Sequence, residues 1–168
     1  MLFDPSSKDR LTDHDLGRFP DDTLFHRLAR VVCHAACLPR KELFEAWETA
    51  KRVRRVCRGG RVVDLGGGHG LLAHAMLLLD DSSPEAIVVD TAIPPSGARL
   101  HDEPVTLGPR LSWRVTFVSG VESRMWRSIR MTQLYLCMRA DVSVMWSSNV
   151  LRQRVLASPC CHAVMTSM

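Results

Sequence analysis

An α/β fold built on a parallel sheet is predicted from three features of the sequence. Val62-Val63 is a short β-branched run ending in Asp64, and Gly66-Gly67-Gly68 follows after a single leucine. An apolar, helix-like segment then runs from Leu71 to Leu79. A second apolar run, Ala86-Ile87-Val88-Val89, ends in another acid, Asp90. Strand, glycine turn, helix and strand in that order read as a parallel βαβ unit. Glycines in the turn let the backbone touch a ligand that any Cβ would hold off. The unpaired N–H groups at the helix start favour a polar or anionic group above them.

Residues 1–20 read as a loosely ordered lead-in punctuated by Pro5, Gly17 and Pro20. Asp21 or Asp22 is placed to cap a helix over about 23–37, with Leu24, Leu28, Val31, Val32 and Ala35 at helical spacing. Leu38-Pro39 breaks it, and Pro39 suits an early position in the next helix, about 40–57. Leu43, Phe44, Trp47, Ala50, Val53 and Val56 line one side of that helix, Arg and Lys the other, and Gly59-Gly60 ends it. The core comprises strand 61–65, helix 69–79 and strand 86–90, with Asp80 to Pro84 as the turn between the last two. The polar, Pro-rich stretch 91–111 offers no legible helix, whereas 113–118 alternates like a half-buried third strand. Residues 1–58 are thus a helical extension and 59–168 the core.

At 168 residues, 46% hydrophobic and 24% charged, the chain has the size and composition of one globular domain with a modest extension. No apolar run reaches bilayer-spanning length and the N-terminus is not signal-like, so a cytoplasmic protein with no membrane partner is expected. Six cysteines then read as reduced thiols. The net charge of +4 is uneven: residues 23–60 hold nine bases against three Glu. Such a surface reads either as a nucleic-acid footprint or as a solvated helix face.

A dinucleotide fingerprint, G-x-G-x-x-G, requires its third glycine at position 71, where this chain has leucine. The spacing is instead Asp-x-Gly-x-Gly-x-Gly from Asp64 to Gly70. Val63-Asp64-Leu65-Gly66-Gly67-Gly68-His69-Gly70 resembles motif I of the class I S-adenosylmethionine-dependent methyltransferases. The resemblance implies a Rossmann-like core whose glycine turn lies against the cofactor. It also implies that Asp64 helps organise the loop around the methionine part and that Asp90 takes the ribose hydroxyls. Asp90 follows Gly66 by about the 20 residues expected of such an acid. The implied cofactor-binding set is Asp64, Gly66, Gly67, Gly68, His69, Gly70 and Asp90, with no catalytic residue assigned. Asp64 also admits a purely local reading as a cap for backbone N–H groups, and His69 one as a solvent-facing side chain.

From about Val121 the text changes character. Residues 121–168 hold six of the eight Met and two of the four Trp without clean periodicity. Val142 to Val144 is the only strand-like piece, and no full fourth strand is legible. Met and Trp have single codons, so the enrichment is consistent with a coding sequence read out of frame between about 121 and 156. Shifted by two bases, Leu134 to Asp141 can become Val-Val-Ser-Val-His-Ala-Cys-Gly, a strand in the expected place. That segment, with Pro159-Cys160-Cys161-His162 in the plain frame, resembles a branch that includes tRNA ribose methyltransferases. It implies RNA as the methyl acceptor. Only 98 residues follow Gly70, so an incomplete core and weak cofactor binding are expected.

Zinc held by Cys33, Cys37, Cys160, Cys161 and His162 is disfavoured because C-x-x-C pairs are absent, and no metal is expected. No Ser/His/Asp order or G-x-x-x-x-G-K loop supports a hydrolase or phosphate binder. Two other readings stand beside the methyltransferase: a nicotinamide-dependent oxidoreductase, and a non-catalytic nucleic-acid-binding or regulatory module using the basic 40–58 helix.

Overall fold

The computed structural model describes residues 4–55, 58–80, 82–102, 115–120, 142–146 and 164–165. Two helices, α1 (Leu24–Ala35) and α2 (Arg40–Arg54), precede β1 (Arg61–Leu65), α3 (Leu71–Leu79) and β2 (Ala86–Val89). They are followed by α4 (Pro95–Asp102), β3 (Val115–Val118), β4 (Val142–Trp146) and β5 (Val164–Met165). The five strands form one sheet in the order β3-β2-β1-β4-β5, and every pairing is parallel. This is an α/β, Rossmann-like arrangement. The order reverses between β1 and β4, and in open parallel sheets ligands bind at such a switch point, beyond the carboxyl ends of the strands.

Each element has a local cause. Thr23, not Asp21 or Asp22, caps α1: its hydroxyl accepts the His26 N–H at 3.2 Å. Asp22 pairs instead with Arg27. The helix stops at Ala36, which turns left-handed with φ 47°. Pro39 sits just outside α2 as its N-cap, extended at φ −71°. From Leu71 to Leu78 every side chain of α3 is buried, because one side meets the sheet and another meets α2. A helix apolar all round belongs in such an interior position.

Residues before α1 are better packed than a loose lead-in. A 3-10 turn spans Asp13–Arg18, Arg10 bridges to Pro39, and Leu11 and Phe19 are both buried in the main core. That core runs unbroken from the N-terminal helices into α3 and the sheet. The two sequence regions therefore share one interior.

Two further departures concern the later chain. A helix, α4, occupies part of the stretch where none was legible. A fourth strand forms from 142–146 as the chain is written, beside β1, whereas the shifted reading placed it at 134–141. Residues 121–141 and 147–163, including Cys160, Cys161 and His162, lie outside the described residues.

Candidate functional site

The bend between β1 and α3 is built to bring bare backbone to the end of the sheet. The Gly66 N–H donates to Val89 O at 2.7 Å, so pairing with β2 runs one residue past the strand. The chain then turns through left-handed φ values of 73°, 50° and 76° at Gly66, Gly68 and Gly70. Between them, Gly67 presses on the sheet. A Cβ there would lie 2.6 Å from Asp64 Cγ and Oδ2 and 2.8 Å from Val88 Cγ1. No other residue fits without displacing them. Gly70 is the N-cap of α3, without a side chain to satisfy the first amides of that helix.

Two carboxylates meet this bend at consecutive residues. Asp90, just past β2, accepts the Gly68 N–H on Oδ2 at 2.9 Å. Its Oδ1 accepts the Thr91 N–H at 2.6 Å and the Thr91 hydroxyl at 3.1 Å. A carboxylate offers about four lone-pair sites, so Asp90 retains capacity for a ligand hydroxyl. Asp64 is wholly buried beside Gly67, and among the described residues neither oxygen has a hydrogen-bond partner. Burial, reinforced by the nearby Asp90 charge, pushes the Asp64 carboxyl up to about 7. The Ala73 amide, near the carboxyl but without closing a hydrogen bond of full geometry, offsets this only in part.

His69 ties the bend to the N-terminal helices. Its Nδ1 accepts the Leu71 N–H at 3.3 Å, which leaves the proton on Nε2, 3.7 Å from Glu42 Oε2 of α2. The neighbouring His69 ring holds the Glu42 carboxyl below its ordinary value. On the other side Gly97 of α4 comes so close that a Cβ would sit 3.4 Å from His69 Cα. Phe117 of β3 lies under both Gly70 and Gly97 and packs edge-on against His101. His74, within α3, is buried with Nδ1 2.7 Å from Gly70 O. Burial pushes its imidazole down to about 4, so the ring is neutral and Nδ1 carries the hydrogen.

All seven residues predicted from sequence, Asp64, Gly66 to Gly70 and Asp90, gather at one end of the sheet. Glu42, Gly97 and Phe117 were missed. Nothing in the spacing of Glu42 marks it as the partner of a residue in the bend.

The remaining sequence candidates are less productive. Among the described residues no group of three or more His, Cys, Asp or Glu could hold a metal ion. Cys33 is buried, with its thiol pushed up to about 12 by burial first and nearby Asp15 and Asp13 second. The Cys37 thiol donates to Ser96 O at 3.6 Å. Several of the bases in 23–60 are engaged within the protein: Arg27 with Asp22, Lys41 with Glu45, Lys51 with Glu48, and Arg54 with Asp80. Arg52, Arg55 and Arg58 are exposed.

No family model and no curated protein matches this chain. One solved structure to which it is similar is a protein from Nostoc punctiforme described as an O-methyltransferase. The two share 18% identity at a TM-score of 0.37, over 58% of this chain and 27% of the other. The chain thus spans about a quarter of that protein's length, and the fold assignment rests on the strand order above. No helix among the described residues is long and apolar enough to cross a membrane.

Proposed function

We propose that residues 61–90 form the cofactor half of an S-adenosylmethionine-dependent methyltransferase. The observation that carries this reading is the pair of acids at one glycine bend. Asp90 is anchored by the Gly68 amide with lone pairs to spare, and Asp64 is buried beside Gly67 with no partner of its own. The Asp-x-Gly-x-Gly-x-Gly spacing from Asp64 to Gly70 favours a cationic nucleoside over a dinucleotide, whose ribose Asp90 alone would serve equally well. Leu71, wholly buried as the first residue of α3, also fills the place of the third dinucleotide glycine.

The residues present fit the cofactor. Gly66, Gly67 and Gly68 would lie against it, Asp90 would receive its ribose hydroxyls, and Asp64 and His69 would hold the bend in shape. When bound, the cofactor supplies an activated methyl group on a sulfonium. The protein's contribution is alignment and exclusion of water. RNA is the acceptor we favour, supported by the exposed Arg52, Arg55 and Arg58 near the end of α2.

Titration with S-adenosylmethionine and, separately, with NAD tests the reading. Ligand-observed NMR reports saturable binding of each ligand. Saturable binding of the first ligand, lost in Asp90→Ala and absent for NAD, supports the proposal. Binding of NAD alone overturns it. A salt-dependent RNA titration separates the acceptor proposal from the cofactor one: flat, negligible binding removes only the RNA.

A further inference from the structure

The most unusual group in the site is Asp64. A carboxyl with no exposed surface and no hydrogen-bond partner is costly to ionise. The groups acting on it can be named element by element. From the end of β2 comes Asp90, a like charge; from α3 comes the Ala73 amide; its register neighbours are Val88 of β2 and Met145 of β4, neither ionisable. Among the described residues nothing supplies a positive charge to it. The described lining around Asp64 is thus without a cation, and the proposed cofactor carries one while its demethylated product does not.

We infer that Asp64 lets the site distinguish the sulfonium cofactor from its neutral thioether product, by releasing a proton when the cation binds. This rests on the methyltransferase reading above and extends it to the discrimination between the two ligands. With the cation present, the ionised carboxyl gains the counter-charge that its described neighbours lack, and its proton passes to solvent. With the thioether present the counter-charge is gone, and the carboxyl keeps its proton. The position of Asp64 supports this role: Gly67 has no Cβ because Asp64 lies directly beside it, so the bend that would bear the ligand rests on this carboxyl. The raised value of about 7 places the exchange in the neutral range.

Linkage gives the sign. A ligand that favours the ionised form binds more tightly as pH rises, by up to tenfold per pH unit while the carboxyl is protonated in the free protein. The sulfonium lowers the pKa of its own ligand's nearby ammonium, so the comparison is read where both ligands keep that group protonated. The experiment measures dissociation constants for S-adenosylmethionine and S-adenosylhomocysteine on the full chain between about pH 5.5 and 7. Expected is an affinity ratio that swings by about tenfold toward the sulfonium ligand as pH rises, and that becomes flat in Asp64→Asn. Calorimetry of the unmodified protein in two buffers of different ionisation enthalpy gives a second readout, independent of how the variant folds. It should show proton release with the sulfonium ligand only. A flat ratio together with no proton release in the unmodified protein overturns the inference while leaving the cofactor reading intact. A pH-dependent ratio that survives in Asp64→Asn also overturns it. Failure of both ligands to bind removes the methyltransferase reading and this inference with it.

Discussion

Arg54 and Asp80, each about 5% exposed in its side chain, pair at 3.0 Å across the junction of α2 with the exit of α3. Arg54 also donates to Met76 O, through Nε at 3.1 Å and Nη2 at 3.0 Å, and to Ser83 Oγ at 2.8 Å. Asp80 in turn accepts the Gly59 N–H at 2.7 Å and the Ser82 hydroxyl at 2.6 Å. One buried pair thus joins the N-terminal helices, the α3 terminus and the loop into β1. Removing one partner of such a pair costs about 3 kcal/mol, so Arg54→Met should lower the urea midpoint markedly. Adding Asp80→Asn should cost less than the sum of the two changes, because the partners are coupled. Burial raises the Asp80 carboxyl, but the hydrogen bonds from Ser82 and Gly59 and the Arg54 charge outweigh it, and the net direction is down. The stability it lends is present above the ordinary carboxylate range and is lost as pH falls through that range and below. Unfolding curves from pH 6 downward, with and without Asp80→Asn, check the sign.

Among Gly17, Gly59, Gly67, Gly68, Gly70, Gly97 and Gly120, Gly67→Ala should be the most damaging alanine substitution. Its Cβ meets Asp64 and Val88 at under 3 Å, and over-packing of this kind costs about 1–3 kcal/mol. Gly17→Ala, where nothing lies within 4 Å and φ is not left-handed, should be neutral within about 0.5 kcal/mol. Paired urea titrations of the two variants make the comparison.

Asp64 and His74 should hide each other's titration. Asp64 has a folded value raised to about 7, so its stabilising effect is lost as pH rises from the ordinary carboxylate value toward neutrality. His74 has a folded value lowered to about 4, so its effect is lost as pH falls from the ordinary imidazole value. Between about pH 4 and 6.5 the native state binds one more proton at Asp64 and the unfolded state one more at His74, and the two slopes cancel. Asp64→Asn should therefore unmask stability that rises with pH in this window, and His74→Gln the reverse. Parallel slopes in the two variants would contradict the assignment.

Glu42 and His69 form a half-exposed pair, and such pairs contribute about 0.2–1 kcal/mol. Glu42→Ala and His69→Ala should each shift global stability by no more than that. The double variant should match either single change, since each removes the same contact. Clean additivity in a double-mutant cycle would show that the brace between α2 and the bend does not exist in solution.

The central βαβ unit was legible because its elements have strong local causes. β-branched residues end in glycines that no helix or strand interior tolerates, and α3 is apolar all round. Resemblance and spacing together put Asp90 at the end of the second strand, and the structure has it just past β2, bonded to the Gly68 amide. The failures share a different character. Thr23 outcompeted two aspartates for the α1 cap, and sequence cannot say which of three adjacent acceptors the backbone will present. Segment α4 combines Pro, Ser and Gly, residues that favour turns. It lies close against the rest of the site, where a Cβ on Gly97 would come 3.4 Å from His69 Cα and 3.5 Å from Phe117, neighbours that no local window of sequence contains. Residues 1–20 read as a loosely ordered lead-in, yet tertiary packing buries Leu11 and Phe19 within it.

The position of β4 carries a consequence for synthesis. Arg61 lies beside Val142 and Leu65 beside Trp146, so one flank of the first strand waits for a segment made much later. During translation, α1 to α3 and the β2 side can assemble while that flank stays open, an invitation to mispairing with other nascent chains. Slowing elongation after β3 would prolong this vulnerable interval, and a chaperone that shields the open flank would raise the yield of folded protein.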